Sequence, residues 1–173
     1  MEWLLPPCLR LVGKDCVQPV ACQDINLVSS LTRLLQALLL PYLEPPAPPP
    51  SKPGQPPPPP PPPRDPGATR SGADCLFLFC LVWTVGAAVD TAGRALFSQH
   101  LRRFLKADYG AYEPYVTGEA VPVRQPLPAA HSVYDWVYDT VTESWKGAWR
   151  VRVQEMGGVG GGQLKSVRFR TRC

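Results

Sequence analysis

The segment from Pro45 to Pro66 is mostly proline and carries eight prolines in succession, Pro56 to Pro63. Proline lacks a backbone N–H and holds φ near one value. Such a run favours an extended polyproline II conformation and cannot join a packed core. Glu44 to about Gly72 therefore reads as a disordered linker or inserted loop. A second interruption lies at Gly157–Gly162, where five of six residues are glycine. What is left is two or three pieces of roughly 20 to 45 residues, and a lone core becomes marginal near about 40. The chain is expected to be part of something larger or to need a partner.

The most apolar stretch, Cys75 to Val89, is 15 residues long and lies between Asp74 and Asp90. A membrane span needs roughly 20 residues, and shorter runs more often belong to a buried core. Asp90 fits the N-cap of a following helix. The stretch reads as a buried helix, a tight connection and a second, amphipathic helix, together residues 74–107. In the second helix Phe97, Leu101, Phe104 and Leu105 form the apolar stripe. Arg102, Arg103 and Lys106 suit the negative end of its dipole.

Upstream, residues 1–43 form an N-terminal segment with a helix over Asp24–Leu40. Asp24 is its expected cap, and Leu27, Val28, Leu31, Leu34, Leu35 and Leu38 are its stripe. Pro41 is expected to stop it. Downstream, 108–132 reads as loop. Over 133–149 the period changes to two, with Val133, Asp135, Val137 and Asp139 alternating with Tyr134, Trp136 and Tyr138. This predicts a strand that must pair with another, with Trp145 and Trp149 after a turn. Residues 150–173 form a disordered, Gly-rich basic tail.

Net charge is +4, with positives gathered at Arg150, Arg152, Lys165, Arg168, Arg170 and Arg172. No aromatic-interleaved platform or DNA-reading motif accompanies them, so no nucleic-acid partner is expected. The N-terminus has no basic flank or long apolar core of a signal peptide. The six cysteines, Cys8, Cys16, Cys22, Cys75, Cys80 and Cys173, form no C-x-x-C pair, and His100 and His131 are the only histidines. Reduced thiols, a cytoplasmic setting and no metal site are expected. The glycine run near Lys165 and Ser166 invites comparison with a phosphate loop. Gln163 and Leu164 intervene where Lys and Ser/Thr must follow the last glycine directly, so it does not qualify. Asp135 and Asp139 could pair as carboxylates on one strand face, but a solvated face accounts for them equally. The residues therefore predict no catalytic, cofactor-binding or metal site.

Three ordered pieces resemble dynein heavy chains, especially axonemal ones. They are "DINLVSSLTRLLQALL" at Asp24–Leu39, "LFLFCLVWTVGAAVDTAGRALFSQHLRRFL" at Leu76–Leu105, and "VYDWVYDTVTESWKGAW" at Val133–Trp149. The second is similar to the family's Trp-x-x-Gly segment and following helix, here Trp83, Gly86, Arg94, Phe97, Leu101 and Arg102. The resemblance implies a mainly α fold: the helical AAA+ lid between the second and third AAA+ modules, with a short β segment after it. It also implies an ATP-driven, minus-end-directed microtubule motor of cilia and flagella as the parent protein, of which this chain would be a truncated fragment that carries the lid and lacks a nucleotide site of its own. ATP and Mg²⁺ would serve that parent at sites outside this chain. Other dynein AAA+ modules, dynein chains and microtubules would be partners, and the ciliary axoneme the location. The proline segment does not look like family sequence. After Trp149 the resemblance stops, and the tail reads as a retained intron or an alternative exon.

Two other readings come from the residues. A proline-rich adaptor would offer Pro45–Pro63, flanked by Lys52 and Arg64, to SH3 or WW domains. A membrane-anchored protein would use Leu76–Val89, against the expectation of no membrane partner.

Overall fold

The computed structural model describes residues 2–44 and 65–147. The polyproline run, Trp149 and the basic tail, with Lys165 and Ser166, lie outside the described residues. The fold is mainly helical. Helix α1 spans Leu5–Asp15, α2 Asp24–Leu43, α3 Pro66–Thr84 and α4 Thr91–Phe104. A two-stranded antiparallel hairpin follows, β1 at Trp136–Asp139 and β2 at Ser144–Gly147.

Helix α1 is an element that the sequence pattern does not announce. Pro6 and Pro7 look like helix breakers, yet they fall in its first turn, where backbone N–H groups have no intrahelical acceptor. Its buried side, Pro7, Cys8, Leu11 and Val12, follows helical spacing.

In α2 the sequence expectation needs two corrections. Asp24 is the first helical residue rather than the cap, and the capping position, Gln23, makes no side-chain cap bond. The Asp24 carboxylate acts only as an acidic group in the first turn, where the dipole favours it. The helix also continues through Pro41 to Leu43. Pro41 removes one N–H in the last turn, while the next residue, Tyr42, is buried and the Glu44 N–H closes the end on the Leu40 carbonyl. Of the leucine stripe only Leu27 and Leu31 are fully buried. Leu34, Leu35 and Leu38 are partly buried against the core.

Helix α3 begins at Pro66, well before Asp74. Asp65 caps it by accepting from the Ala68 N–H at 3.0 Å, with proline at the favoured first position. The last proline of a stretch that suggests only a linker thus opens a helix. With the turn at Gly86–Ala88, the Pro66–Ala88 stretch is long and apolar enough to cross a membrane by length and composition. Half of its most apolar window is buried inside the fold. Asp90 caps α4 as expected, accepting from the Gly93 N–H at 2.7 Å.

The core joins all four helices, α2 entering it through Leu27 and Leu31. Leu4, Leu11, Leu78, Leu81, Phe97, Leu101 and Phe104 are fully buried in it. Each such side chain contributes about 1.5–3 kcal/mol on leaving water. A smaller cluster of Tyr42, Cys75, Leu76 and Tyr138 fixes the end of α2 and the hairpin to α3.

The expected strand from Val133 is shorter at its start. Val133–Asp135 is a 3-10 turn, closed because Ser132 and Asp135 cap each other reciprocally. The strand begins at Trp136, and its partner is the next segment of the same chain, with Tyr138 opposite Trp145. Asp135 and Asp139 therefore share no strand face.

Candidate functional site: the Tyr134 junction

The segments singled out in the sequence meet at one ring. The Tyr134 hydroxyl donates to the Gly86 carbonyl at 2.6 Å. Trp83 meets the Tyr134 ring edge-on, with centroids 6.1 Å apart and planes at 90°. Phe97 lies at 6.4 Å on a tilt, and the Arg94 guanidinium is 5.8 Å from the ring centroid. Ring contacts of this kind add about 0.5–1.5 kcal/mol beyond area. Burial raises the Tyr134 phenol well above its ordinary pKa, against the pull of Arg94. The hydroxyl therefore keeps its proton and remains a donor.

Gly86 is required by close approach. A Cβ there would come within 2.6 Å of the Phe97 ring and 2.8 Å of the Tyr134 hydroxyl. Three further sets of bonds seat the chain around Tyr134. Val133 N–H donates to Ser98 Oγ at 3.2 Å in the buried core. Arg102 donates to the carbonyls of Pro128 at 2.7 Å and His131 at 2.9 Å. Trp136 Nε1 donates to the Ala130 carbonyl at 2.9 Å. Arg102 and Arg103 thus have specific partners beyond the helix dipole, because Arg103 pairs bidentately with Asp108. Sequence reasoning missed the roles of Tyr134 and Ser98. Both act through tertiary contacts that leave no local spacing signal.

Residues 1–150 match the family model of the dynein heavy chain AAA lid domain. The chain belongs to that family. No curated protein and no solved structure matches it. The match to the dynein lid starts at residue 1, so it takes in α1 as well as the three resembling pieces. It ends one residue beyond Trp149.

Within this dynein lid the Trp-x-x-Gly segment, the Arg and Phe of α4 and the Tyr-Asp segment build a joint between the helices and the hairpin. The joint offers packing and directed hydrogen bonds. The two carboxylates of the Tyr-Asp segment serve local structure. Asp135 accepts from the Ser132 N–H at 3.0 Å. Asp139 binds Lys146 and the Val141 and Thr142 N–H groups, and these hold its carboxyl well below the usual range, Lys146 foremost. The cysteine environment opposes nucleophilic activation: burial pushes Cys75 up to about 12 and Cys80 up to about 11. Among the described residues no group of three His, Cys, Asp or Glu could hold a metal ion.

The other half of α4 faces a second aromatic cluster. Phe104 stacks on Tyr109 at 5.7 Å and meets Tyr112 at 5.5 Å and His100 at 5.8 Å. Trp3 packs edge-on against Tyr109 at 6.2 Å. Tyr112 donates to Asp15 at the end of α1. Trp3 Nε1, Tyr109 Oη and His100 Nδ1 are buried without a protein partner. A buried polar atom left wholly unpaired costs about 1–3 kcal/mol.

Proposed function

We propose that this chain serves as the lid that follows the second AAA+ module of a dynein heavy chain, with its hairpin leading towards the third. The parent protein in this reading is an ATP-driven, minus-end-directed motor of cilia and flagella. It would work in the cytoplasm and the ciliary axoneme, alongside other dynein chains and on microtubules. The chain's own contribution is mechanical. It packs on neighbouring AAA+ modules and passes a change of nucleotide state along as a rigid body. The observation that carries this is the closure of α3, α4 and the 128–136 segment on Tyr134, which couples helices and hairpin. In this reading ATP and Mg²⁺ bind elsewhere in the parent. The purified chain is then expected to show no saturable binding of ATP with Mg²⁺ by calorimetry, and saturable binding would overturn the assignment.

One observation favours a second reading, an adaptor for SH3 or WW domains. Tyr42 at the end of α2 lies against Gly72 of α3, its hydroxyl 3.2 Å from the Glu143 carboxylate and 3.5 Å from the Ala68 carbonyl in the first turn of α3. Both ends of the proline segment therefore attach to the fold at one place. A pull-down that loses its SH3 or WW partners when residues 45–63 are deleted would support this role; unchanged capture would remove it.

A further inference from the structure

We propose that Glu143 is a clasp that couples the hairpin turn to the place where α2 ends and α3 begins. The turn between β1 and β2 is residues 140–143, and Glu143 closes it with φ at 48°. Glycine enters this left-handed region freely, whereas a Cβ disfavours it. On local grounds glutamate is poorly suited to the position, and two long-range bonds account for it. Gln125 Nε2 donates to the Glu143 backbone carbonyl at 3.0 Å. The Tyr42 hydroxyl lies 3.2 Å from the Glu143 carboxylate, across 101 positions of sequence. A carboxylate accepts more strongly than a carbonyl, and the Ala68 carbonyl is also farther away, at 3.5 Å. A glycine at 143 would keep the bond from Gln125 and lose the one from Tyr42.

Both partners of Glu143 are themselves fixed. Tyr42 is buried, and its hydroxyl and ring fill the space that a side chain at Gly72 would need. The Gln125 carbonyl accepts from Trp145 Nε1 at 3.2 Å and from the Cys75 thiol at 3.5 Å. The clasp thus ties β2, the 108–132 loop, α3 and the end of α2 at one point. The Tyr134 junction fixes the chain where it enters β1, and the clasp fixes the opposite end of the hairpin. Coupling between two sites is reciprocal, so a change at Tyr42 must be felt at the hairpin by the factor with which a change at Glu143 is felt at α2. This inference depends on neither the motor nor the adaptor reading.

The test is amide hydrogen exchange on the full chain. Glu143→Gly relieves the backbone and deletes the acceptor. Exchange is expected to rise about five-fold across residues 136–147 and in the last turn of α2, residues 40–44, and to stay level in α1. Tyr42→Phe should raise exchange in the hairpin by a similar factor, and the double variant should raise it no further. Slower hairpin exchange in Glu143→Gly would mean that glutamate is merely tolerated in a strained turn. Effects confined to the substituted element, or additive effects in the double variant, would mean that the bond couples nothing. An equal rise in α1 would mean general loosening. Each of these results overturns the proposal.

Discussion

Helix α4 runs through two aromatic neighbourhoods that are built differently. Its first half, with Arg94, Phe97 and Ser98, enters the Tyr134 junction, where the hydroxyl of Tyr134 and Ser98 Oγ are both matched. Its second half, with His100 and Phe104, enters a cluster richer in rings but holding three polar atoms that no protein group pairs. Ring packing depends weakly on direction, whereas hydrogen bonds fix angles and distances. The junction is therefore suited to holding one geometry. The Phe104 cluster is suited to burying area.

The largest expected effect tests the tightness of the junction. Gly86→Ala forces Phe97 or Tyr134 aside and should lower the unfolding free energy by about 3 kcal/mol, as overpacking does. Urea unfolding followed by circular dichroism would read it, and an unchanged midpoint would mean the joint is loose. Arg102→Ala comes next. It leaves the Pro128 and His131 carbonyls without their donor, for a loss of about 2 kcal/mol. Hydrogen exchange should rise across residues 128–136 and stay level in α1; a uniform rise would deny the segment a clamp of its own.

A smaller effect comes from acid and acts on the Phe104 side. Burial and the Arg103 charge hold His100 below the ordinary histidine value, against Asp15 and Asp108. The unfolded chain then takes up this proton first. Its contribution to stability is complete above about pH 6.5 and is lost as pH falls from there through the folded value. His100→Gln should flatten the stability profile in that window, and an identical slope would exclude His100 as its source. The smallest effect is a gain. Gly13 lies exposed in α1, and a Cβ placed on it would meet nothing within 4 Å, so Gly13→Ala should add about 0.7 kcal/mol. A melting temperature that does not rise would argue that α1 is already as stable as its packing allows.

Local signals in the sequence carry the helical character, the Asp90 cap and the aromatic hairpin. They fail where context reverses the meaning of a residue. Pro6, Pro7 and Pro66 look like breakers, although proline is accommodated in a first helical turn. Pro41 looks like a stop, yet the buried Tyr42 that follows it draws the helix onward. The Tyr134 junction unites residues as far apart in the chain as Trp83 and Tyr134. Spacing within any one segment carries no trace of that convergence, although the family resemblance names Trp83, Gly86, Arg94 and Phe97 as a set.

Tyr42 joins the end of α2 to the start of α3 through space, independently of the chain between them. Codons can therefore be gained or lost between Glu44 and Asp65 with little penalty to the helices on either side. The same position suits a circular permutation, a protease site or a fluorescent cargo. In evolutionary terms, it is a place where the gene can change length without retuning the packing of the helices on either side.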